Sequence, residues 1–113
     1  MLRPDASDNS VAAILINIDA DGNELPIQFV SHILSTAAKN WKIVEKEAFS
    51  IVYGVKRLAW FLYGVHFYIE TDHRNLLWLQ ESTSPKLVRW TLCLQEFNYT
   101  LLHIFREQNQ TAD

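Results

Sequence analysis

The glutamate at position 47 stands apart from the other acidic residues because of its position in a predicted helix. Glu47 falls among apolar residues that recur every three or four positions, on the side of the helix that faces the core. A carboxylate buried there costs several kcal/mol unless it is paired or binds a metal ion. No lysine or arginine stands three or four positions away, since those positions hold Ile43, Val44, Ser50 and Ile51. A salt bridge within the helix therefore does not account for Glu47.

Asp72 is the second candidate, because it ends a stretch with the alternating pattern of a β-strand, residues 65–72. In open sheets with helical crossovers, ligands collect at the carboxyl ends of strands. A turn-forming aspartate ahead of the next helix is an equal alternative for this residue taken alone. Carboxylates gathered from distant positions suit hard cations such as Mg²⁺, and two such ions roughly 3.5–4 Å apart serve a phosphodiester displacement.

The elements that would position these acids follow a mixed α/β pattern. Two apolar runs flank a turn-forming DADGN sequence, which predicts a β-hairpin. Helix-period and strand-period segments then alternate, so helices should pack against a sheet that combines a hairpin with crossovers. The predicted elements are hairpin strands at 11–18 and 26–32, a helix from 43 to 64, a strand at 65–72, a short helix at 74–80, a helix beginning at 84–85 and a strand at 99–105.

Size and composition restrict the class of protein. The 113 residues, 49% of them hydrophobic, suit a single domain over 1–113. The one cysteine, Cys93, excludes an internal disulfide and is typical of a reducing compartment. No leader-like segment opens the chain, and its longest apolar stretch is far below the roughly 20 residues of a membrane helix. We therefore expect a soluble, intracellular protein with no membrane partner.

The net charge of −3 argues against a domain that grips nucleic acid mainly by a basic surface. Two bound divalent cations would make the formal balance positive and remove that objection.

An ordered series of motifs resembles the ribonuclease H-like domain of Gypsy-type reverse transcriptases from LTR retrotransposons. The resemblance covers nearly the whole chain and is far more specific than any one of its motifs. They are PDASD at the start, PIQFVSHILSTAAKNWKIVEKEAFSIVYGVKRLAWFLYG, YIETDHRNLLWL, LVRWTLCLQEFNYTLLHI and, at the end, NQTAD. The resemblance implies a central mixed sheet of antiparallel hairpin strands and parallel strands, flanked by helices.

The resemblance also implies a site and a reaction. The family's four catalytic and metal-binding carboxylates match Asp5, Glu47, Asp72 and Asp113. They would hold two Mg²⁺ or Mn²⁺ ions, one activating water and one stabilising the leaving 3′-oxygen. The implied activity is endonucleolytic cleavage of the RNA strand of an RNA–DNA hybrid. The reverse transcriptase polymerase domain would be joined in cis, in the cytoplasm or a retroelement particle.

The chain departs from the family pattern at several positions. Pro4 replaces the usual threonine and is unexpected in a central strand because it lacks an N–H donor. Ala12 and Ala13 replace Gly-Ala, and residues 105–109 replace a proline-glycine loop. The sequence ends at Asp113, where the family has a carboxy-terminal helix. We expect a fragment with its first strand and its carboxy-terminal helix trimmed.

Weaker candidates and rival functions remain open. His73 and Arg89 are candidates for substrate contact, although helix capping or solvent exposure is the simpler interpretation of His73. Trp78 and Trp90 suit a nucleic-acid surface or, more simply, packing between helices. The rival function is a catalytically silent connector domain or a degenerate remnant within a reverse transcriptase. An integrase or transposase is disfavoured, because the middle motifs match the reverse transcriptase domain.

Overall fold

Strands and helices follow one another in the mixed order that the sequence predicts. The computed structural model describes residues 1–71 and 84–103. Within them the elements are β1 (Leu2–Ala6), β2 (Ser10–Ile18), β3 (Glu24–Ile33), α1 (Thr36–Lys39), α2 (Ile43–Arg57), α3 (Ala59–Leu62), β4 (His66–Thr71), α4 (Pro85–Leu94) and β5 (Asn98–His103). The short helix predicted at 74–80 lies outside the described residues.

The strands form one five-stranded sheet in the order β3-β2-β1-β4-β5. Neighbouring strands are antiparallel from β3 to β1, whereas β4 runs parallel to β1 and β5 runs parallel to β4. Hairpin strands and crossover strands are thus combined in one sheet, which confirms the predicted mixed α/β class.

The β2–β3 hairpin turns at the residues that the sequence predicts. Asp19 Oδ1 accepts hydrogen bonds from the backbone N–H groups of Asp21 at 2.9 Å and Asn23 at 2.8 Å. Gly22 adopts a φ of 85°, which the turn requires and which favours glycine. The bond from the Asn23 backbone is the main reason that the pKa of the Asp19 carboxyl is lowered.

Pro4 lies inside β1, a central strand, so the expectation that a proline does not fit there is wrong. Met1 exchanges backbone hydrogen bonds with Ile16 of β2 at 2.7 and 2.8 Å. Because these bonds alternate along an antiparallel pair, the nitrogens of Leu2 and Pro4 point toward β4 instead. In the described residues, the β1–β4 ladder has one Cα pair, Leu2 with Ile69. Pro4 therefore removes no donor from the β1–β2 ladder.

Helix α2 packs very closely on the sheet at Gly54. A Cβ atom added to Gly54 would lie 2.6 Å from the Cβ of Ala13 and 3.4 Å from Cδ2 of Leu2. The hydrophobic core surrounds this contact between α2 and the sheet, and Leu2, Ile51 and Ile69 are almost completely buried there. The absence of a side chain at Gly54 therefore determines how near α2 lies to β1 and β2.

The helix that the sequence predicts as continuous up to Gly64 is divided in two. Leu58 has φ −105° and ψ 15°, outside helical values, and separates α2 from α3. The N–H of Phe61 then bonds to the carbonyl of Leu58, with the tighter spacing of three residues. This break leaves both Leu58 and Leu62 buried. The prediction of one helix is wrong, although Gly64, with φ 82°, does form the turn toward β4.

Helix α4 begins at the predicted signal, with Ser84 as N-cap residue and Pro85 in the first turn. Its Trp90 ring lies 5.5 Å, between centroids, from each of the rings of Trp41 and Phe49. This contact confirms packing between helices for Trp90, whereas Trp78 lies outside the described residues. Cys93 is half-buried and packs against the core.

The described helices α2 and α4 pack on one face of the sheet, whereas the side chains of Arg3 and Asp5 lie on the other face. Leu2 faces Gly54 of α2. Because side chains alternate along a strand, Arg3 and Asp5 point to the opposite face, which we call the open face. No helix among the described residues is long and apolar enough to cross a membrane.

Candidate active site

Asp5 lies near the carboxyl end of β1, the central strand of the sheet. Its side chain is exposed on the open face and pairs in register with Ala12 of β2. It borders a cleft of about 320 Å³. The cleft is lined by Arg3, Pro4, Asp5, Ala12, Ala13, Ile14 and Phe29. The predicted first carboxylate is thus accessible from solvent and stands beside a concave surface.

Arg3 lies in the same cleft and is held by two carboxylates. Its Nη2 lies 2.8 Å from Oε2 of Glu24 on β3, and its Nε lies 2.5 Å from Oε2 of Glu70 on β4. The hydrogen bond to Glu24, followed by that to Glu70, raises the pKa of Arg3 further above its ordinary value. The same bond lowers the pKa of Glu24. Arg3 is therefore a fixed cation whose charge is balanced by these glutamates.

Glu47 lies in the second turn of α2, on the side that the apolar stripe predicts. The residue is only partly exposed, and its Oε2 atom is shielded from solvent. The carbonyl of Glu47 accepts a hydrogen bond from Oγ of Ser50 at 2.5 Å. This partial burial agrees with the position of Glu47 on the apolar stripe, and its role in a site stays a prediction.

Two contacts establish how α2 lies relative to β1. Gly54, in the second half of the helix, lies over Leu2 near the start of the strand. Lys46, in the first half, reaches the backbone just past the end of the strand, where its Nζ donates to the carbonyl of Asp8 at 2.9 Å. The helix therefore runs antiparallel to β1, and Glu47 lies at the same end of the strand as Asp5.

The sequence pattern missed two residues at this end of the molecule. Lys46 lies outside the apolar stripe that carries Glu47, yet it is only 5% exposed. Its position shares a second helix face with Phe49 and Tyr53, three and seven residues further on, and that spacing would have predicted burial. Arg3 was missed because its partners are distant in sequence, and no local pattern reports them.

Of the other predicted site residues, the structure describes only Arg89. Asp72, His73 and Asp113 lie outside the described residues. Arg89 is exposed on α4. Within 1–71 and 84–103, no three histidine, cysteine, aspartate or glutamate side chains form a group suited to a metal ion. The assembly of four carboxylates therefore stays a prediction.

The described donors match the chemistry of the predicted metal ions. Asp5 and Glu47 offer only oxygen atoms, which Mg²⁺ and Mn²⁺ prefer. One of them is exposed at a cleft, and the other has an oxygen in a low-dielectric environment, where attraction to a cation is stronger than in water. The residue types fit a divalent cation.

Similarity to known sequences extends over the whole chain. A family described as "RNase H-like domain found in reverse transcriptase" matches residues 1–97. The Retrovirus-related Pol polyprotein from transposon 297 of Drosophila melanogaster is 34% identical over 115 residues, covering 100% of this chain and 10% of that protein. The Transposon Tf2-3 polyprotein of Schizosaccharomyces pombe is 33% identical over 119 residues, covering 100% of this chain and 9% of that protein. The chain spans about a tenth of the length of these relatives.

Comparison with solved structures confirms the fold. The foamy viral protease-reverse transcriptase in complex with RNA/DNA hybrid superimposes with a TM-score of 0.70 at 14% identity, over 91% of this chain and 15% of that one. RNase H1 from the halophilic archaeon Halobacterium salinarum gives a TM-score of 0.63 at 15% identity, over 96% of this chain and 87% of that one. With the family match and the transposon relatives, these findings show that the chain belongs to the family of RNase H-like domains found in reverse transcriptases.

Proposed function

We propose that this domain is a divalent-metal-dependent endonuclease that cuts the RNA strand of RNA–DNA hybrids within a retrotransposon reverse transcriptase. The observation that carries the proposal is that two acids stand at the same end of the central strand. Asp5 belongs to that end of β1, and the part of α2 that bears Glu47 lies over it from the helix-covered face of the sheet. The family match supports this use of the two acids.

Four carboxylates together would bind the metal ions. Asp5 offers an accessible ligand beside the cleft, and Glu47 offers an oxygen shielded from water. Asp72, which directly follows β4 in the sequence, and Asp113 complete the proposed set. When bound, two Mg²⁺ or Mn²⁺ ions supply charge stabilisation and water activation for the displacement. Cleavage of the bond to the 3′-oxygen leaves a 3′-hydroxyl and a 5′-phosphate.

The proposed substrate and partner follow from the relatives and from charge. The structure of the foamy viral relative contains an RNA/DNA hybrid. A hybrid is distinguished by groove shape and 2′-hydroxyl groups, which requires no strongly basic surface. Arg89, exposed on α4, and His73 are candidates for backbone contact. Because the curated relatives are Pol polyproteins, we infer that a polymerase domain is joined in cis.

The alternative function is a catalytically silent connector domain, for which contact with other domains would be the main task. Large apolar side chains are exposed around α3, where Trp60 is 92% and Tyr63 67% exposed. Exposed apolar patches often mark contacts with other domains. Such a contact is compatible with either function, so only catalysis separates the two.

Single substitutions test the proposed site. Asp72→Asn should abolish metal-dependent cleavage of a labelled hybrid, and Asp5→Asn should do the same. Without metal, Asp72→Asn should melt at a higher temperature than the wild type, because it relieves repulsion between neighbouring carboxylates. Asp21→Asn, in the exposed hairpin turn, is the matched control and should leave both measurements unchanged. Unchanged cleavage by Asp72→Asn would refute the site, and absence of cleavage by the wild type would favour the connector.

A further inference from the structure

A buried lysine adjoins Glu47 and has no part in the mechanism above. Lys46 is 5% exposed, and among the described residues it makes one hydrogen bond, from Nζ to the carbonyl of Asp8 at 2.9 Å. Burying an ammonium group is costly, and lysine is rarely fully buried. A contact made at such a cost points to a specific role for the segment that Lys46 holds.

The segment is the turn between β1 and β2, which begins two residues after Asp5. The N–H of Ser7 donates to the carbonyl of Ser10 at 2.8 Å, and the Ser7 hydroxyl oxygen accepts from the N–H of Ser10 at 3.1 Å. The N–H of Leu34, beyond β3, donates to the carbonyl of Asn9 at 2.8 Å. The turn is thus ordered internally and tied to the end of β3, while Lys46 ties it to α2.

Among the described residues, Lys46 links by a hydrogen bond the two parts of the chain that carry the candidate acids, β1 with its following turn and α2. Asp5 belongs to β1, which leads into the turn, and Glu47 follows Lys46 directly on α2. Along α2, the next tether to the sheet comes seven residues later, where the Tyr53 hydroxyl donates to the carbonyl of Ser31 at 3.0 Å. That second tether fixes the helix to β3 and leaves the β1–β2 turn untouched.

We propose that Lys46 is a positioning residue that fixes the β1–β2 turn on α2 and thereby sets the separation of Asp5 and Glu47 for metal binding. This inference rests on the proposed function. Lys46 acts through the backbone of the turn and contacts neither substrate nor metal. Its loss should weaken metal binding without removing any ligand.

The test compares two tethers of the same helix. Lys46→Met keeps the apolar stem and removes the donor to the β1–β2 turn, and Tyr53→Phe removes the donor to β3. Mn²⁺ binding is measured by calorimetry, and exchange of the Ser7 amide is measured by hydrogen–deuterium exchange. Lys46→Met should weaken Mn²⁺ binding by about tenfold, as loss of an outer-shell support does, and should speed exchange at Ser7. Tyr53→Phe should change neither.

A second variant keeps the inference testable if Lys46→Met does not fold. Ser7→Ala loosens the same turn from within and should weaken Mn²⁺ binding in the same direction. Wild-type affinity in Lys46→Met or Ser7→Ala, or an equal loss in Tyr53→Phe, would overturn the positioning role while leaving the proposed function intact. If the wild type itself binds no Mn²⁺, the proposed function fails and this inference fails with it.

Discussion

At the scale of single residues, the two charged side chains of the cleft, Arg3 and Asp5, differ in their ion pairs. Arg3 is engaged by Glu24 and Glu70, so its charge is balanced before any ligand arrives. Asp5, two residues along the same strand face, has no ion pair among the described residues. A cation entering the cleft therefore finds Asp5 available, while the arginine is occupied.

The ion pair between Arg3 and Glu24 predicts how the stability of the fold changes with pH. The hydrogen bond from Arg3 lowers the pKa of Glu24 below its ordinary value of 4.5. A carboxyl whose pKa is lower in the folded state contributes stability that is present above 4.5 and is lost as the pH falls through the folded pKa. The melting temperature of the wild type should therefore drop below pH 4.5.

Arg3→Gln tests this assignment. It should lower the melting temperature at neutral pH and flatten the decrease below pH 4.5, as followed by circular dichroism. The lowered pKa of Asp19 acts in the same direction and leaves a residual slope. Arg57→Gln, an exposed arginine on α2, is the control. An acid profile for Arg3→Gln identical to that of the wild type would contradict the role given to the pair.

At the scale of elements, the close approach of α2 to the sheet depends on Gly54. A Cβ at this position would lie 2.6 Å from the Cβ of Ala13, so Gly54→Ala must push the helix away. Overpacking costs about 1–3 kcal/mol. The 2.6 Å contact between two carbon atoms places Gly54→Ala in the upper part of that range, above the gain of about 1 kcal/mol in helix propensity. Urea denaturation should therefore show a less stable protein.

The double variant Gly54→Ala with Ala13→Gly provides the control for that prediction. Removing the opposing methyl should make the two substitutions non-additive, with the pair more stable than the sum of the single effects. Gly54→Ala with wild-type stability would mean that the approach of α2 is not determined by this contact.

The elements also show which features a sequence can predict. The hairpin and the start of α4 were correct because DADGN and Ser84-Pro85 encode them locally. Pro4 was judged wrongly because its fit depends on which neighbouring strand its nitrogen faces. The break at Leu58 was missed because it arises where Leu58 and Leu62 are both buried in the core. Local patterns are visible in a sequence, whereas consequences of packing are not.

The residues of the candidate site differ in whether the sequence could predict them. Glu47 was identified from its apolar surroundings, and its shielded oxygen agrees with that reasoning. Asp5 followed from resemblance alone, because a single aspartate in a short strand carries no pattern. Lys46 escaped notice because its helix is buried on two faces, one against the sheet and one against the cluster that contains Phe49 and Tyr53.

At the scale of the whole molecule, the domain is one part of a longer protein in its relatives. It covers about a tenth of the transposon polyproteins that it matches. Exposed side chains around α3 provide an apolar surface on the described part of the domain. The proposed divalent cations would offset its net charge of −3 toward the proposed polyanionic substrate.

Metal-dependent cleavage of a hybrid by the wild-type chain is the decisive test of the proposed nuclease activity. The substrate is an RNA–DNA hybrid labelled on the RNA strand, with duplex DNA of the same sequence as control, in Mg²⁺, in Mn²⁺ and in EDTA. We predict cleavage of the RNA strand alone, only with a divalent cation, with products that end in a 3′-hydroxyl and a 5′-phosphate. An intact RNA strand under every metal condition, or equal cleavage in EDTA, would rule out a metal-dependent hybrid nuclease.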